Sequence, residues 1–379
     1  MLAIGLLLSQ CVVVANLLIL GSVIDDLAQD MHLSAMMLAS VLSTFPASAI
    51  IGNLALLQFA RALHPGRAFL TGHLLVMLGT LWLANAESLP SLLASRILVG
   101  LAMPLIGSNL YPLMCSFRQP FREKIAGLVA STGSLTTLSV VPLSLMLSEQ
   151  FGWRTAIWVQ GLLCTLALLL VLLSVRRIGA LAPSQPGPGV KPDQTFTTMN
   201  LWRIGQFLAL SLAFLSLSIG LPNILSGTVG TGMASAVLFS GGLAALGGGL
   251  CLSAFEKTRR LSPGFLHMAC LASVLILCLE SSTFSLLTVG WMGYCAFRQI
   301  LSTQLLLQAT EQCPPPSRSQ LNAAFNLAFQ LASAVAGSAA PFLMYSSNPL
   351  RSIVFFAGSA LALAFVMDRY RSARYDPGK

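Results

Sequence analysis

The sequence predicts an all-α membrane protein of twelve transmembrane helices, built as two similar six-helix halves. Three observations carry this: apolar runs of membrane-crossing length, a one-sided distribution of positive charge, and motifs that recur at one offset. Of 379 residues, 55% are hydrophobic and only 9% are charged. A soluble domain carries about 25% charged residues, and no core at this size hides so much apolar surface. A span needs roughly 20 apolar residues. Runs such as 125–147 and 156–175 supply them.

The spans are placed at 2–24, 34–58, 68–86, 90–117, 125–149, 153–175, 200–223, 233–255, 264–281, 284–310, 320–345 and 350–367. Connections are short except at 176–199. There Pro183, Pro186, Gly187, Pro188, Gly189 and Pro192 oppose a helix and mark a linker. The chain thus divides into a first half 1–175, a cytoplasmic linker 176–199, a second half 200–367 and a cytoplasmic tail 368–379. The N-terminus opens inside an apolar run without a charged leader or cleavage site, so no signal peptide is expected. A few natural residues upstream of Met1 would fit this pattern.

Orientation follows from Lys and Arg, which favour cytoplasmic loops. With both termini cytoplasmic, 17 of the 21 basic residues fall in or beside cytoplasmic segments. Only Arg154 and Arg351 lie outside, and Arg96 and Arg298 lie within spans. The net charge of +9 is therefore topological information rather than a nucleic-acid surface.

The halves echo one another. Phe151-Gly152-Trp153-Arg154 precedes span six, and Asn348-Pro349-Leu350-Arg351 precedes span twelve, with Gly161 and Gly358 at matching distances beyond. Leu63-His64-Pro65-Gly66 and Leu261-Ser262-Pro263-Gly264 repeat at nearly the same offset of about 197 residues. Duplicated units are a recurrent transporter architecture, with the substrate site at the repeat interface near the midplane.

Two six-helix halves joined by a polar linker resemble the major facilitator superfamily. Arg96 with Gly100 in span four, Arg122 with Ala126-Gly127 entering span five, and Gly152-Trp153-Arg154 before span six carry the resemblance. Within it, the pattern looks closest to bacterial drug- and sugar-efflux proton antiporters of the arabinose-efflux-like group. The loop between spans two and three keeps Gly66-Arg67, but Phe59 and Leu63 stand where that family has Gly and Asp. Span five keeps Pro142, while Val141 replaces the Gly before it. The resemblance implies a small-molecule substrate, exchanged protons, no cofactor, a monomer, and the bacterial inner (plasma) membrane.

Several residues are candidates for chemistry. A charge in mid-span costs roughly 2.5–3.5 kcal/mol on insertion scales and normally faces a partner or a water-filled cavity. Arg96 and Arg298 are therefore substrate or coupling candidates. Asp25 and Asp26 close span one and are expected to approach Arg96. Glu280 lies in a similar place in span nine, whereas Asp30 reads as an ordinary solvated loop residue. Asn322, Asn326 and Gln330 recur on one helical face of span eleven, positioned for substrate hydroxyls or for bridging helices. Gln10, Asn16, Asn53, Asn109, Tyr111, Gln160 and Asn223 are weaker polar candidates. Gly241, Ala245 and Gly249 form a small-residue stripe for close helix approach, and Pro104 and Pro142 can kink their helices.

Other classes are excluded. No nucleotide-binding loop, paired catalytic carboxylates or Ser–His–Asp arrangement is present, so an enzyme is not expected. The eight cysteines lack a C-x-x-C pair and the four histidines are scattered, giving no metal-ligand spacing. Uptake by symport or facilitated diffusion, and a non-transporting membrane sensor or degenerate paralogue, are the competing readings.

Overall fold

The computed structural model describes residues 2–59, 65–114, 121–178, 198–254, 261–277, 284–311 and 318–375. The first compact unit is Met1–Ser184. It contains α1 (Leu2–Ser22), α2 (Ile24–Asp30), α3 (Ala35–Phe59), α4 (Pro65–Ala84), α5 (Leu89–Met114), α6 (Phe121–Phe151) and α7 (Trp153–Ile178). The second unit is Gln185–Lys379. It contains α8 (Thr198–Val229), α9 (Thr231–Ala254), α10 (Pro263–Leu277), α11 (Phe284–Glu311), α12 (Arg318–Met344) and α13 (Pro349–Tyr375).

Setting aside the short α2, the described residues hold twelve long helices, six in each unit. Nine of them are long and apolar enough to cross a membrane by length and composition. Among the others, α10 is described over only 15 residues, and α11 carries Arg298, Gln299 and Gln304 within its apolar run. The two units share one pattern of helix pairing. In the first, α3 packs on α5, α4 on α5 and α7, and α1 on α6 and α7. In the second, α9 packs on α11, α10 on α11 and α13, and α8 on α12 and α13. Helix for helix these are the same neighbours, which is the internal symmetry the sequence repeat predicts. Pro142 in α6 and Pro341 in α12 interrupt equivalent helices.

Glycine sets the closeness of the α3–α5 and α9–α11 pairs. A Cβ at Gly100 would strike Ser48 Oγ and the Phe45 carbonyl on α3. One at Gly241 would strike the Trp291 indole of α11, and one at Gly248 would lie 2.8 Å from the Ala296 carbonyl oxygen. Gly241 of the predicted stripe makes the close approach, while at the far end Gly248 does so in place of Gly249, which meets Gln299 at 3.9 Å. Overpacking a closed helix pair costs about 1–3 kcal/mol. Gly241→Ala is expected to lower thermal stability in detergent by that amount. Gly247→Ala, with nothing within 4 Å, is expected to leave it unchanged or slightly raised. Equal melting temperatures for the two variants would sink the assignment.

Two boundaries differ from the sequence reading. Arg176–Ile178 close α7 and Thr198 opens α8, so the segment 176–199 contributes to helices at both ends; residues 179–197 lie outside the described residues. The tail begun at residue 368 is helical to Tyr375. Asp368 is buried and accepts a hydrogen bond from Gln206 Nε2 at 3.3 Å, while Tyr370 packs on Trp202 with ring centroids 5.3 Å apart. These contacts with α8 hold the extra turns in place.

Candidate functional site

The interior of the first unit carries a ladder of polar contacts in two rungs, across helices that sequence alone makes almost wholly apolar. In one rung, His73 of α4 meets Ser9 of α1, Nε2 to Oγ 2.8 Å. Seven residues further along both helices, Thr80 Oγ1 donates to Asn16 Oδ1 at 3.1 Å. The same sequence separation of 64 at each rung means that α1 and α4 run parallel in register. Asn16 Nδ2 donates to the Val12 carbonyl at 2.9 Å and to Cys164 Sγ of α7 at 3.8 Å, and Gln160 Nε2 donates to the same sulfur at 3.8 Å.

Arg96 of α5 enters this second rung. It is 1% exposed, donates from Nη1 to the Asn16 carbonyl at 3.1 Å, and lies over the Phe45 ring at 4.5 Å. Its Nε has no hydrogen-bond partner. Among the described residues no carboxylate pairs with it. The expected approach of Asp25 and Asp26 to Arg96 is thus not what the fold produces. Arg96 is tied to Asn16, whereas Asp25 lies nine residues further on, about 13 Å of helix rise, on α2 beyond the break at Val23. There Asp26 accepts a hydrogen bond from Ser148 of α6.

Asp30, expected to be merely solvated, is the anchor of that end. Arg154 Nη1 forms a salt bridge with it, and Trp153 Nε1 donates to the same carboxylate oxygen at 3.0 Å. Arg154 Nη2 also donates to the Ala86 carbonyl at 3.1 Å. The turn that aims these side chains needs Gly152, whose φ of +83° lies in the left-handed region. The Gly-Trp-Arg motif is therefore a staple between α7, α2 and the α4–α5 connection. The Trp153 hydrogen bond and then the Arg154 guanidinium hold the Asp30 carboxyl below its usual range. A carboxyl depressed in the folded state contributes stability above its ordinary value of 3.8, and loses it as pH falls through the depressed one. Asp30→Asn is expected to lower the melting temperature slightly at neutral pH, since the pair is part-exposed. That difference should fade below pH about 3.8; a gap that persists there would overturn this account.

In the second unit, Arg298 of α11 stacks over the Phe214 ring of α8 at 3.9 Å. The side chain is half-buried, and its closed-off Nε has no partner. Tyr294, Cys295 and Cys270 lie within electrostatic reach of it. Tyr294 OH and Trp291 Nε1, buried on the same helix, are also without partners. Arg96 and Arg298 thus occupy equivalent helices in the two units, in contrasting states: one sealed and hydrogen-bonded, the other stacked and partly open. On α12, Asn326 is half-buried, and Gln330 is buried with its Oε1 unpartnered. The Asn322 side chain, Glu280 and Leu63 lie outside the described residues. Gly66 and Arg67 open the first turn of α4, with Arg67 exposed. Pro104 lies inside α5 and Pro142 inside α6.

Sequence reading missed His73 and Ser9. The available signal was the pairing of polar residues seven apart on two apolar spans, Ser9 with Asn16 and His73 with Thr80.

Twelve long helices in two like units, with polar groups sealed in their interiors, define a multi-pass membrane protein of transporter architecture. The sequence profile of the Major Facilitator Superfamily matches residues 6–337. The chain belongs to that family, which points to a secondary transporter of small molecules rather than an enzyme. A bacterial homologue of the human lysosomal transporter Spinster, crystallised in an inward-facing and occupied conformation, shares the fold. The match has a TM-score of 0.76 at 12% identity and covers 99% of this chain and 97% of that one.

Proposed function

We propose that this protein exports a small organic solute in exchange for protons by alternating access, with Arg298 contacting an anionic or acceptor-rich group of the substrate. The observation that carries this reading is Arg298 itself. It is a cation in mid-helix, stacked on an aromatic ring, with no ion pair or hydrogen bond among the described residues. Such a charge is costly in a membrane, and a negative group on a ligand offsets that cost. Asn326 and Gln330 would add polar contacts, Asn322 a third, and Arg96 would order the first unit. The partial likeness to drug- and sugar-efflux antiporters supports export. Charge asymmetry supports cytoplasmic termini, and the likeness to bacterial efflux antiporters supports a bacterial inner membrane. The protein would act as a monomer in the lipid bilayer, without cofactor or nucleic acid.

The test is a thermal-shift screen of purified protein against benzoate, glucuronate, uridine, arabinose and tetraphenylphosphonium. Protection by benzoate or glucuronate is expected. Protection by tetraphenylphosphonium alone would sink the role given to Arg298. Flux of the same five compounds is then measured in vesicles with an imposed proton gradient. Movement indifferent to the gradient would remove the coupling. Uptake is the second reading, favoured by Leu63 and Val141 at the family's gating and antiport positions; the direction of flux in oriented vesicles separates the two. A non-transporting sensor requires that Arg298→Ala leave every binding and transport phenotype unchanged.

A further inference from the structure

Proton exchange needs a titratable group inside the protein; in the first unit Glu87 and Glu149 are exposed, and Glu123 lies in the first turn of α6. α1, α4, α5 and α7 contain no Asp or Glu. Asp25, Asp26 and Asp30 lie on α2 at the end of the bundle. The interior instead contains His73, 1% exposed, against Ser9, 0% exposed.

We propose that His73, hydrogen-bonded to Ser9, is a proton-binding site of the transport cycle and carries the exchanged proton on Nε2. This rests on the proton-antiport reading above. The argument is a count of hydrogens. Nδ1 lies 2.8 Å from the Phe69 carbonyl oxygen, which only accepts, so Nδ1 carries a hydrogen. Nε2 faces Ser9 Oγ, and Ser9 Oγ also lies 2.6 Å from the Gly5 carbonyl oxygen, another pure acceptor. A neutral ring has one hydrogen and the serine has one, so two hydrogens serve three contacts. If Ser9 donates to Nε2, the Gly5 contact goes unserved; if it donates to Gly5, Nε2 is bare. An added proton resolves this: Nε2–H donates to Ser9, and Ser9 donates to Gly5. The site is built to accept one more proton than a neutral ring holds.

The surroundings decide when it is loaded. The charged or titratable side chains on the helices around it are Cys11 on α1, Arg96 and Tyr111 on α5, and Arg154, Cys164, Arg176 and Arg177 on α7; α6, which packs on α1, adds Arg122, Glu123, Lys124 and Glu149 in its end turns. Arg67 lies on α4 itself, and the Phe69 ring packs edge-on to the imidazole at 4.6 Å. No anion lies on α1, α4, α5 or α7, and the two glutamates of α6 sit in its end turns, ten or more residues from Thr136, which meets Cys11. A bare buried cation is costly. The loaded state therefore requires water or a substrate anion to reach the α1–α4 seam, which ties proton uptake to opening of that seam. In the second unit, the buried titratable groups His267 and Asp368 sit on α10 and α13, close to Gly264 at the start of α10.

The experiment uses the full chain in phospholipid nanodiscs with ring-15N histidine. His73 is assigned by His73→Gln and followed by NMR across pH about 5 to 8. The expected result is an Nδ1–H neutral ring in the ligand-free protein that becomes doubly protonated within that range when benzoate or glucuronate is bound. Ser9→Ala should move the transition to lower pH by roughly one unit, because it removes a charge-assisted bond. An Nε2–H neutral ring, no titration in the range, or no response to Ser9→Ala each overturns the proposal. In vesicles, the ratio of flux with and without a proton gradient, measured for the same five compounds, should fall to about one in His73→Gln and persist in His32→Gln. A ratio unchanged in His73→Gln also overturns it. If wild type moves none of the five, the antiport reading fails, and the NMR titration alone decides the proton site.

Discussion

Replacing Arg298 by alanine is expected to weaken benzoate and glucuronate binding by about 10- to 100-fold. The magnitude comes from the roughly 1.5–3 kcal/mol of a hydrogen bond to a charged group, at about 1.4 kcal/mol per tenfold. The fold should survive, since among the described residues Arg298 donates no hydrogen bond and contributes its stacking on Phe214. Arg298→Lys keeps the charge but loses the planar fork and the stacking geometry, so an intermediate loss is expected. Isothermal titration of wild type and both variants in detergent checks this. Equal affinities for wild type and Arg298→Ala would reassign Arg298 to structure.

Replacing Arg96 by methionine is expected to abolish transport while leaving thermal stability equal or higher. Arg96 is a sealed cation whose one hydrogen bond goes to a backbone carbonyl. No carboxylate among the described residues repays its desolvation, and hydrophobic replacement of buried ionic groups is often neutral or stabilising by about 1–4 kcal/mol. Methionine fills much of the same volume against Phe45. What is lost is the tie from α5 to the Asn16 rung, through which α1, α4 and α7 are held together. Proteoliposome flux and thermal unfolding, measured on one preparation, check both halves of the expectation. A destabilised variant would show that Arg96 holds the bundle together rather than serving transport.

Much of the architecture is legible in the sequence because lipid enforces it. Each span must be apolar and long, so twelve helices and their approximate limits can be read from composition. The duplicated loop motifs correctly anticipate the shared pairing pattern of the two units. What is not legible depends on neighbours. Asp30 looks solvated because its partners, Trp153 and Arg154, are remote in sequence and reach it only through the left-handed turn at Gly152. Asp25 and Asp26 seem aimed at Arg96 only while its depth is judged from the span limits; Arg96 reaches back to the Asn16 carbonyl, nine residues or about 13 Å of helix before Asp25. Asp368 reads as tail because hydropathy cannot foresee Gln206. His73 is inconspicuous because a single histidine in an apolar run says nothing until Ser9 stands opposite. The two arginines, by contrast, stand out because a charge amid apolar residues is anomalous whatever surrounds it.

The placement of those arginines bears on how the chain is made. A ribosome releases α1 and α3 before α5, and α8 before α11. When Arg96 emerges, the Asn16 carbonyl and the Phe45 ring that receive it already exist. When Arg298 emerges, Phe214 already exists. Neither cation has to wait for a partner still inside the ribosome. Each half can therefore settle its least lipid-compatible residue as it is synthesised, and the order of helices along the chain serves as an assembly schedule.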